Sequence, residues 1–352
     1  MVCGFQTRVC SPTAGVVEQM SDALQSGYDL IITNGDSAGE LLRKAFSGTE
    51  VLPWRDVLHD GPVPLTGTLE ELSELRADFL AERSWGEPDA IRENFRARDR
   101  GLAHYEAFEK VTLWFEHDLY DQLQLIQILD WFFGTPGRGA GLQLVQSDDF
   151  LGTQSVEKLS EFAKLSAPVT EPQFALASRV WAAFRQPDPK AFAVLLDEDL
   201  SALPYLAQAA RRMLQELPDA NTGLARTQHQ ILVAINDGVG TPRELFRAVE
   251  RLEEAAFMGD WSFWWWVDGL ASSPGQLIEA SESKFSPNMG HDEFMAYVDN
   301  PIGLTPLGFQ VLGGALDYAA DARIDRWMGG THVTSDNLWR WNDRESALVA
   351  PD

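Results

Sequence analysis

The sequence predicts an α/β protein: a Rossmann-like parallel sheet, then an all-α connector, then a winged-helix-like C-terminal module. Three observations carry that expectation. Short apolar runs at 28–33 (YDLIIT), 50–53, 111–115 and 142–146 alternate with stretches of helical period, which is the order of a parallel sheet covered by helices. From about 155 to 217 the pattern is helical throughout, cut into short pieces by Pro168, Pro187, Pro189, Pro204 and Pro218. From 225 to about 317, helical stretches at 226–236, from Thr241, and at 260–271 precede two short apolar runs, 276–280 and 302–304, and a last helix over 305–316. The expected divisions are a disordered leader (1–27), the sheet domain (28–150), the connector (151–222), the winged-helix-like domain (223–320) and a Trp/Gly-rich tail (321–352) packed on the body.

Each element has a local reason. After the first strand, Asn34-Gly-Asp-Ser37 turns the chain, and Ser37 with Glu40 has the spacing of a capping box for a helix over 38–46. Thr68 and Glu71 repeat that spacing before a helix to about Arg83. A charged helix is expected over 89–110. The run Val111 to Phe115 reads as a buried strand, and Leu119, Leu123, Ile126, Leu129 and Phe133 then recur at helical spacing. Gly134 to Gly141 is a glycine-rich turn. Thr241-Pro242 places proline at a first helical position, where its missing N–H matters little.

Bulk properties exclude some functions. The chain of 352 residues has a formal net charge of −25, which repels nucleic-acid phosphate and anionic membrane surfaces. No apolar run is long enough to span a bilayer, and the N-terminus lacks a signal-peptide core, so a cytoplasmic location is expected. The two cysteines, Cys3 and Cys10, lie in the leader and exclude a disulfide framework; Met20 is a candidate natural start. The third helix of the C-terminal module, Asp260-Trp-Ser-Phe-Trp-Trp-Trp-Val-Asp268, has no Lys or Arg, and none occurs between Arg251 and Lys284. Phosphate contacts dominate nucleic-acid affinity, so DNA binding ranks last. Four Trp in six residues (261–266) suit packing on another domain or a protein partner.

Right-handed crossovers place every strand-to-helix loop at one edge of a parallel sheet, where such sheets bind ligands. Three polar loops arrive there: 34–37, 54–62 and 115–122. Their turn and capping chemistry accounts for part of them: Asn, Gly, Asp and Ser are turn formers, and Asp118 and Asp121 suit a helix N-terminus. Glu116, His117, Trp54 and Arg55 exceed that need. Together Asp36, Asp56, Asp60, Glu116, Asp118 and Asp121 face one loop cation, Arg55, so some carboxyl pKa values should rise, or a cation should bind. A divalent metal is the candidate cofactor, although no His-x-x-x-His spacing accompanies it. Asp36, Asp56, Glu116, His117 and Asp121 are the candidate acid/base residues. Asn34, Gly35, Ser37, Trp54, Arg55, His59, Asp118 and Gln122 are the candidate ligand-binding residues, with His332 of the tail as a further one if the tail folds over the pocket. There is no Gly-x-Gly-x-x-Gly, no Walker loop and no Gly-x-Ser-x-Gly elbow.

The stretches TNGDSA (33–38), WRDVLHDGPVP (54–64), LWFEHDLYDQLQL (113–125) and RWMGGTHV (326–333) with WRW (339–341) resemble an uncharacterised bacterial family, domain of unknown function eighteen-thirty-five. The likeness covers essentially the whole chain after about residue 28. It implies that Gly35, Asp36, Ser37, Asp56, Gly61, Pro62, Asp121 and Gln122 matter, since other branches keep a Gly-Asp-Ser turn, an Asp before Gly-Pro and an acid-Gln pair. His59 and His117 do not recur there. The likeness implies no activity. The expected function is therefore a polar, acidic small-molecule site, with a nucleotide or metal ion among its candidate occupants, at the C-terminal edge of the sheet. The alternative is a metabolite-sensing regulator whose winged-helix-like module binds protein.

Overall fold

In the computed structural model, the described residues are 29–351 except 135, 136, 138–140, 273, 274, 281 and 282. The expected leader, with Met20, Cys3 and Cys10, lies outside them, as does part of the 134–141 turn.

Five strands form one sheet: β1 (Leu30–Thr33), β2 (Glu50–Pro53), β3 (Val111–Phe115), β4 (Leu142–Gln146) and β5 (Ala167–Pro168), in the spatial order β2-β1-β3-β4-β5. The first four run parallel, with Ile32 opposite both Leu52 and Leu113. The strand β5 is antiparallel to β4, a departure from the purely parallel expectation. It is two residues long and contains Pro168, which cannot donate to a ladder and so sits at the sheet's edge. Every residue of β1 and β3 is buried, as continuous apolar strands covered on both faces must be.

The helices that cover the sheet are α1 (Asp36–Ala45), α2 (Leu69–Glu82), α3 (Pro88–Ala103) and α4 (Leu119–Phe133). The helix α3 ends well before Lys110, the expected limit, and a 3-10 turn at Tyr105–Ala107 takes over. The helix α1 begins one residue before Ser37, with Gly35 at its N-cap and no side-chain cap. The expected Ser37–Glu40 capping box is absent there, because Ser37 lies inside the first turn and Gly35, at the N-cap, has no side chain to accept. Thr68 does cap α2, accepting from the Glu71 N–H.

Helices α5 (Val156–Phe162), α6 (Glu171–Phe184), α7 (Lys190–Val194) and α8 (Leu206–Leu214) follow; α6 and α8 pack on α4, which is buried on nearly all sides. The C-terminal part contains α9 (Arg226–Asn236), α10 (Pro242–Glu250), α11 (Asp260–Leu270), β6 (Ile278–Glu279), α12 (His291–Val298), β7 (Gly303–Leu304), α13 (Pro306–Leu312) and α14 (Tyr318–Asp321). Ile231, Leu245, Phe263, Trp264, Val267 and Leu277 form its core. The strands β6 and β7 make a two-residue antiparallel pair, shorter than expected, and α12 lies in the chain between them. Two further hairpins end the chain: β8 (Asp325–Met328) with β9 (Thr331–Thr334), and β10 (Arg340–Asn342) with β11 (Ala347–Val349). Met328, Val333, Trp339 and Trp341 belong to the same core cluster as the sheet. No helix among the described residues is long and apolar enough to cross a membrane.

Candidate functional site at the carboxyl edge of the sheet

From β1 the chain crosses to β2 on one side, and from β2 it returns past β1 to β3 on the other. At such a reversal the loops leaving β1 and β3 diverge and open a crevice. The loop after β1 supplies Asn34 to Ser37, and the loop after β3 supplies Glu116 to Asp121.

Asp121, on the first turn of α4, is the hinge of the arrangement. Its Oδ1 accepts from the Glu116 N–H at 2.6 Å, and its Oδ2 accepts from Asn34 Nδ2 at 2.7 Å. Asp118 caps α4, accepting the Asp121 N–H at 3.0 Å. Gln122 Nε2 donates to the Glu116 carbonyl at 2.7 Å and so holds the loop closed. Glu116 Oε1 accepts from the Leu151 N–H at 2.7 Å, which ties in the 3-10 turn Leu151–Thr153 after β4. Glu116, Asp118 and Asp121 thereby offer ligating oxygens that lie within 4.8 Å of one another, all three buried.

Burial is the first cause of their perturbed acidity. It pushes Glu116 up to about 8, with the charge of Asp118 adding to the shift and the Leu151 N–H opposing it. It pushes Asp118 up to about 7. Asp121 is raised well above the usual carboxylate range by burial and by the charges of Glu116 and Asp118. At neutral pH the cluster therefore either shares protons or holds a cation. No ion pair joins these three carboxyls to an Arg or Lys among the described residues.

The acids open onto a cavity of about 320 Å³. Asn34, Gly35, Asp36 and Ser37 line one side, and Tyr120 and Gly152 lie beside the carboxyls. The far wall comes from the C-terminal part: Phe246, Glu250, Phe257, Met258, Asp260 and Trp261. Burial raises Asp260 to about 6. No Lys or Arg lines this cavity among the described residues. His59 and Trp85 are nine-tenths buried, line the cavity, and have ring nitrogens without a protein partner. Burial pulls His59 down to about 4, so it is neutral, edge-on to Tyr120 at 5.9 Å and Phe257 at 5.0 Å.

Other expected site residues have different places. Asp56 is fully buried against Arg76, whose Nη2 is 2.8 Å from Oδ1, with Arg98 at 3.9 Å; it does not line the cavity. Trp54 is wholly buried, donating Nε1–H to Gln127 at 2.8 Å beneath the Arg98 guanidinium. Both are held in the core by these partners, away from the cavity wall. Arg55 forms a bidentate pair with Asp36 and is half exposed beside the cavity. His117 turns away from the carboxyls, to Phe150 at 5.2 Å and Tyr205 at 6.0 Å, and burial lowers its pKa. It is absent from the cavity wall, as is Gln122. His332 bonds Asp325 at 2.7 Å on the β8–β9 hairpin instead of joining the acids.

The expected contest of six carboxylates with one Arg is also corrected. Arg76 of α2, Arg83 at its C-cap and Arg98 of α3 reach the loop after β2, so Asp56 and Asp60 are neutralised from outside the loops. With Asp36 taken by Arg55, Glu116, Asp118 and Asp121 are the three of the six expected carboxyls that lack a cationic partner among the described residues.

No family model matches the chain, and no curated protein matches it. The site rests on its own geometry. The contribution missed by sequence reasoning is the wall from 246–261. Its one signal was Trp261, in a Trp-rich helix without cations; it packs on Trp85 at 5.9 Å.

Proposed function

We propose that this protein is a cytoplasmic small-molecule protein, binding or catalytic, whose polar ligand sits in the carboxyl-edge cavity against Glu116, Asp118 and Asp121. The single observation carrying this is the buried cluster of three carboxyls, within 4.8 Å of one another, opening on a cavity with no cationic side chain among the described residues. A divalent cation is the simplest group to compensate all three at once, since hard cations take carboxylate oxygens. Its binding would displace the protons that burial now favours. Asn34 and the Leu151 N–H already orient the carboxyls, as supporting groups do around metal ligands. The aromatic wall of Phe246, Phe257 and Trp261 suits the apolar or planar part of an organic ligand, a nucleotide among the candidates.

A metabolite-sensing regulator is the second reading, and one feature favours it. More than a third of the residues lining the cavity belong to α10, α11 and the segment between them, so an occupant would bridge the sheet and that module. In this reading the module, winged-helix-like in its helix order, binds protein, with Trp265 exposed on it. DNA binding has no support from α11, which carries Asp260 and Asp268 and no basic residue. On its motifs alone we also assign the chain to domain of unknown function eighteen-thirty-five.

The test is calorimetric. Chelator-stripped protein is titrated with Mn²⁺, Mg²⁺ or Ca²⁺ at neutral pH in two buffers of different ionisation enthalpy, followed by a thermal-shift panel of nucleotides and sugar phosphates. Saturable binding with proton release, lost in Asp121→Asn, is the expected result. If no probe binds, or the variant binds each as well as the parent, the reading fails.

A further inference from the structure

A second cavity, of about 250 Å³, lies on the other side of His59, Phe257 and Met258, which line both. It is built by the β8–β9 hairpin, α11, the end of α8 and the loop after β2. The hairpin's seat is set by two glycines. A Cβ on Gly329 would fall 2.2 Å from the Phe184 carbonyl oxygen, and one on Gly330 2.0 Å from that of Arg185. The Gly330 N–H donates to Phe184 O at 3.0 Å, and Gly329 O accepts from the Val63 N–H at 2.7 Å. This clamp carries β8, and with it Arg326, against the cavity.

Charges around the cavity are unequally paired. Asp60 is bound by Arg83, Glu216 by Arg212 at 2.6 Å, and Asp325 by His332 at 2.7 Å. Arg326 and Arg323 line the same space, and neither side chain has a hydrogen bond or ion pair among the described residues. The Arg326 guanidinium stacks over Trp266 at 5.3 Å, with Nη1 closed off and without an acceptor. A closed-off guanidinium nitrogen without an acceptor is costly, and burial pulls the Arg326 pKa down, opposed by the nearby Glu216, Tyr318 and Asp60, of which the two carboxylates already have arginine partners of their own. His59, neutral and without a partner on either nitrogen, offers one further N–H. Trp265, Trp266, Phe257 and Met258 provide apolar walls.

We propose that this second cavity binds a small organic carboxylate, its carboxyl group taken by the planar fork of Arg326 and its apolar body laid against Trp266, Phe257 and Met258. A guanidinium matches a carboxylate bidentately, whereas the walls reject a fully hydrated ion. The inference is independent of the occupant of the carboxyl-edge site.

The experiment uses the full chain and three probes: isocaproate as the carboxylate, isoamylamine as a cation of similar apolar shape, and inorganic phosphate as an anion without an apolar body. Melting temperature and heats of binding are read for the parent, Arg326→Lys and Arg326→Gln, each checked for a native circular-dichroism spectrum. Isocaproate should bind saturably and raise the melting temperature, and isoamylamine should not. Both variants should weaken isocaproate by about tenfold or more, because hydrogen bonds to charged groups carry that much. Arg326→Lys keeps the charge but not the fork, so its loss separates recognition from bulk electrostatics. Failure of isocaproate to bind, equal responses to carboxylate and amine, a response matched by phosphate, or undiminished binding in both variants would each overturn the proposal.

Discussion

Arg76 and Asp56 face each other inside the protein, Nε to Oδ1 at 2.9 Å, with both side chains essentially inaccessible to solvent. The same guanidinium donates to the carbonyls of Val57 at 3.0 Å, Asp60 at 2.7 Å and Pro62 at 3.3 Å. One side chain from α2 thus gathers the whole loop after β2. Arg76→Met should cost about 3–5 kcal/mol of unfolding free energy, because it strands a buried carboxylate and three carbonyls. Urea denaturation measures this. A loss below about 1 kcal/mol would mean that the pair is not the loop's staple.

The carboxyl cluster sets a pH dependence. Glu116 and Asp118 have folded pKa values of about 8 and about 7, above their ordinary 4.5 and 3.8, so the folded state holds protons that the unfolded state releases. Their stabilising contribution is complete below the unfolded values and is lost as pH rises through the folded ones. The metal-free protein should therefore lose stability between about pH 5 and 8. Glu116→Gln should flatten that slope, gaining on the parent at pH 8 relative to pH 5. Urea midpoints across the range, in chelator, check both statements; parallel profiles would refute them.

Trp54 should behave as a structural residue despite its place in the loop. Trp54→Phe removes the Nε1–H bond to Gln127 at 2.8 Å and strands a buried amide oxygen. The expected loss is about 1–3 kcal/mol of stability. Divalent-cation affinity should stay unchanged, since Trp54 is not part of the cavity wall. A variant that melts normally but loses cation binding would reverse this assignment.

Gly330→Ala should unseat the β8–β9 hairpin. Its Cβ would meet the Arg185 carbonyl oxygen at 2.0 Å, a backbone atom that cannot swing aside. A loss of about 2 kcal/mol or more is expected, within the range of severe single substitutions. Thermal unfolding measures it, and a variant as stable as the parent would show that the hairpin docks loosely.

Sequence periodicity alone determined the α/β layering around β1, β3 and α4, because four- and five-residue apolar runs and a helix apolar on most sides bury themselves in only a few ways. Topology then followed to the sheet edge, where Asn34, Asp36, Glu116, Asp118 and Asp121 meet. Turn chemistry also located the Asp118 cap. What those residues do there was decided by partners far along the chain. Arg76 and Arg98 withdraw Asp56, and Arg83 withdraws Asp60, whereas no Arg or Lys among the described residues pairs with the 116–121 acids. His117 and His59 have similar local sequence surroundings, yet one turns to Phe150 and the other forms a wall between two cavities. Charge compensation and cavity walls depend on distance through space. A linear pattern records only neighbours along the chain, so the contributions of 246–261 and of Arg326 required the folded molecule.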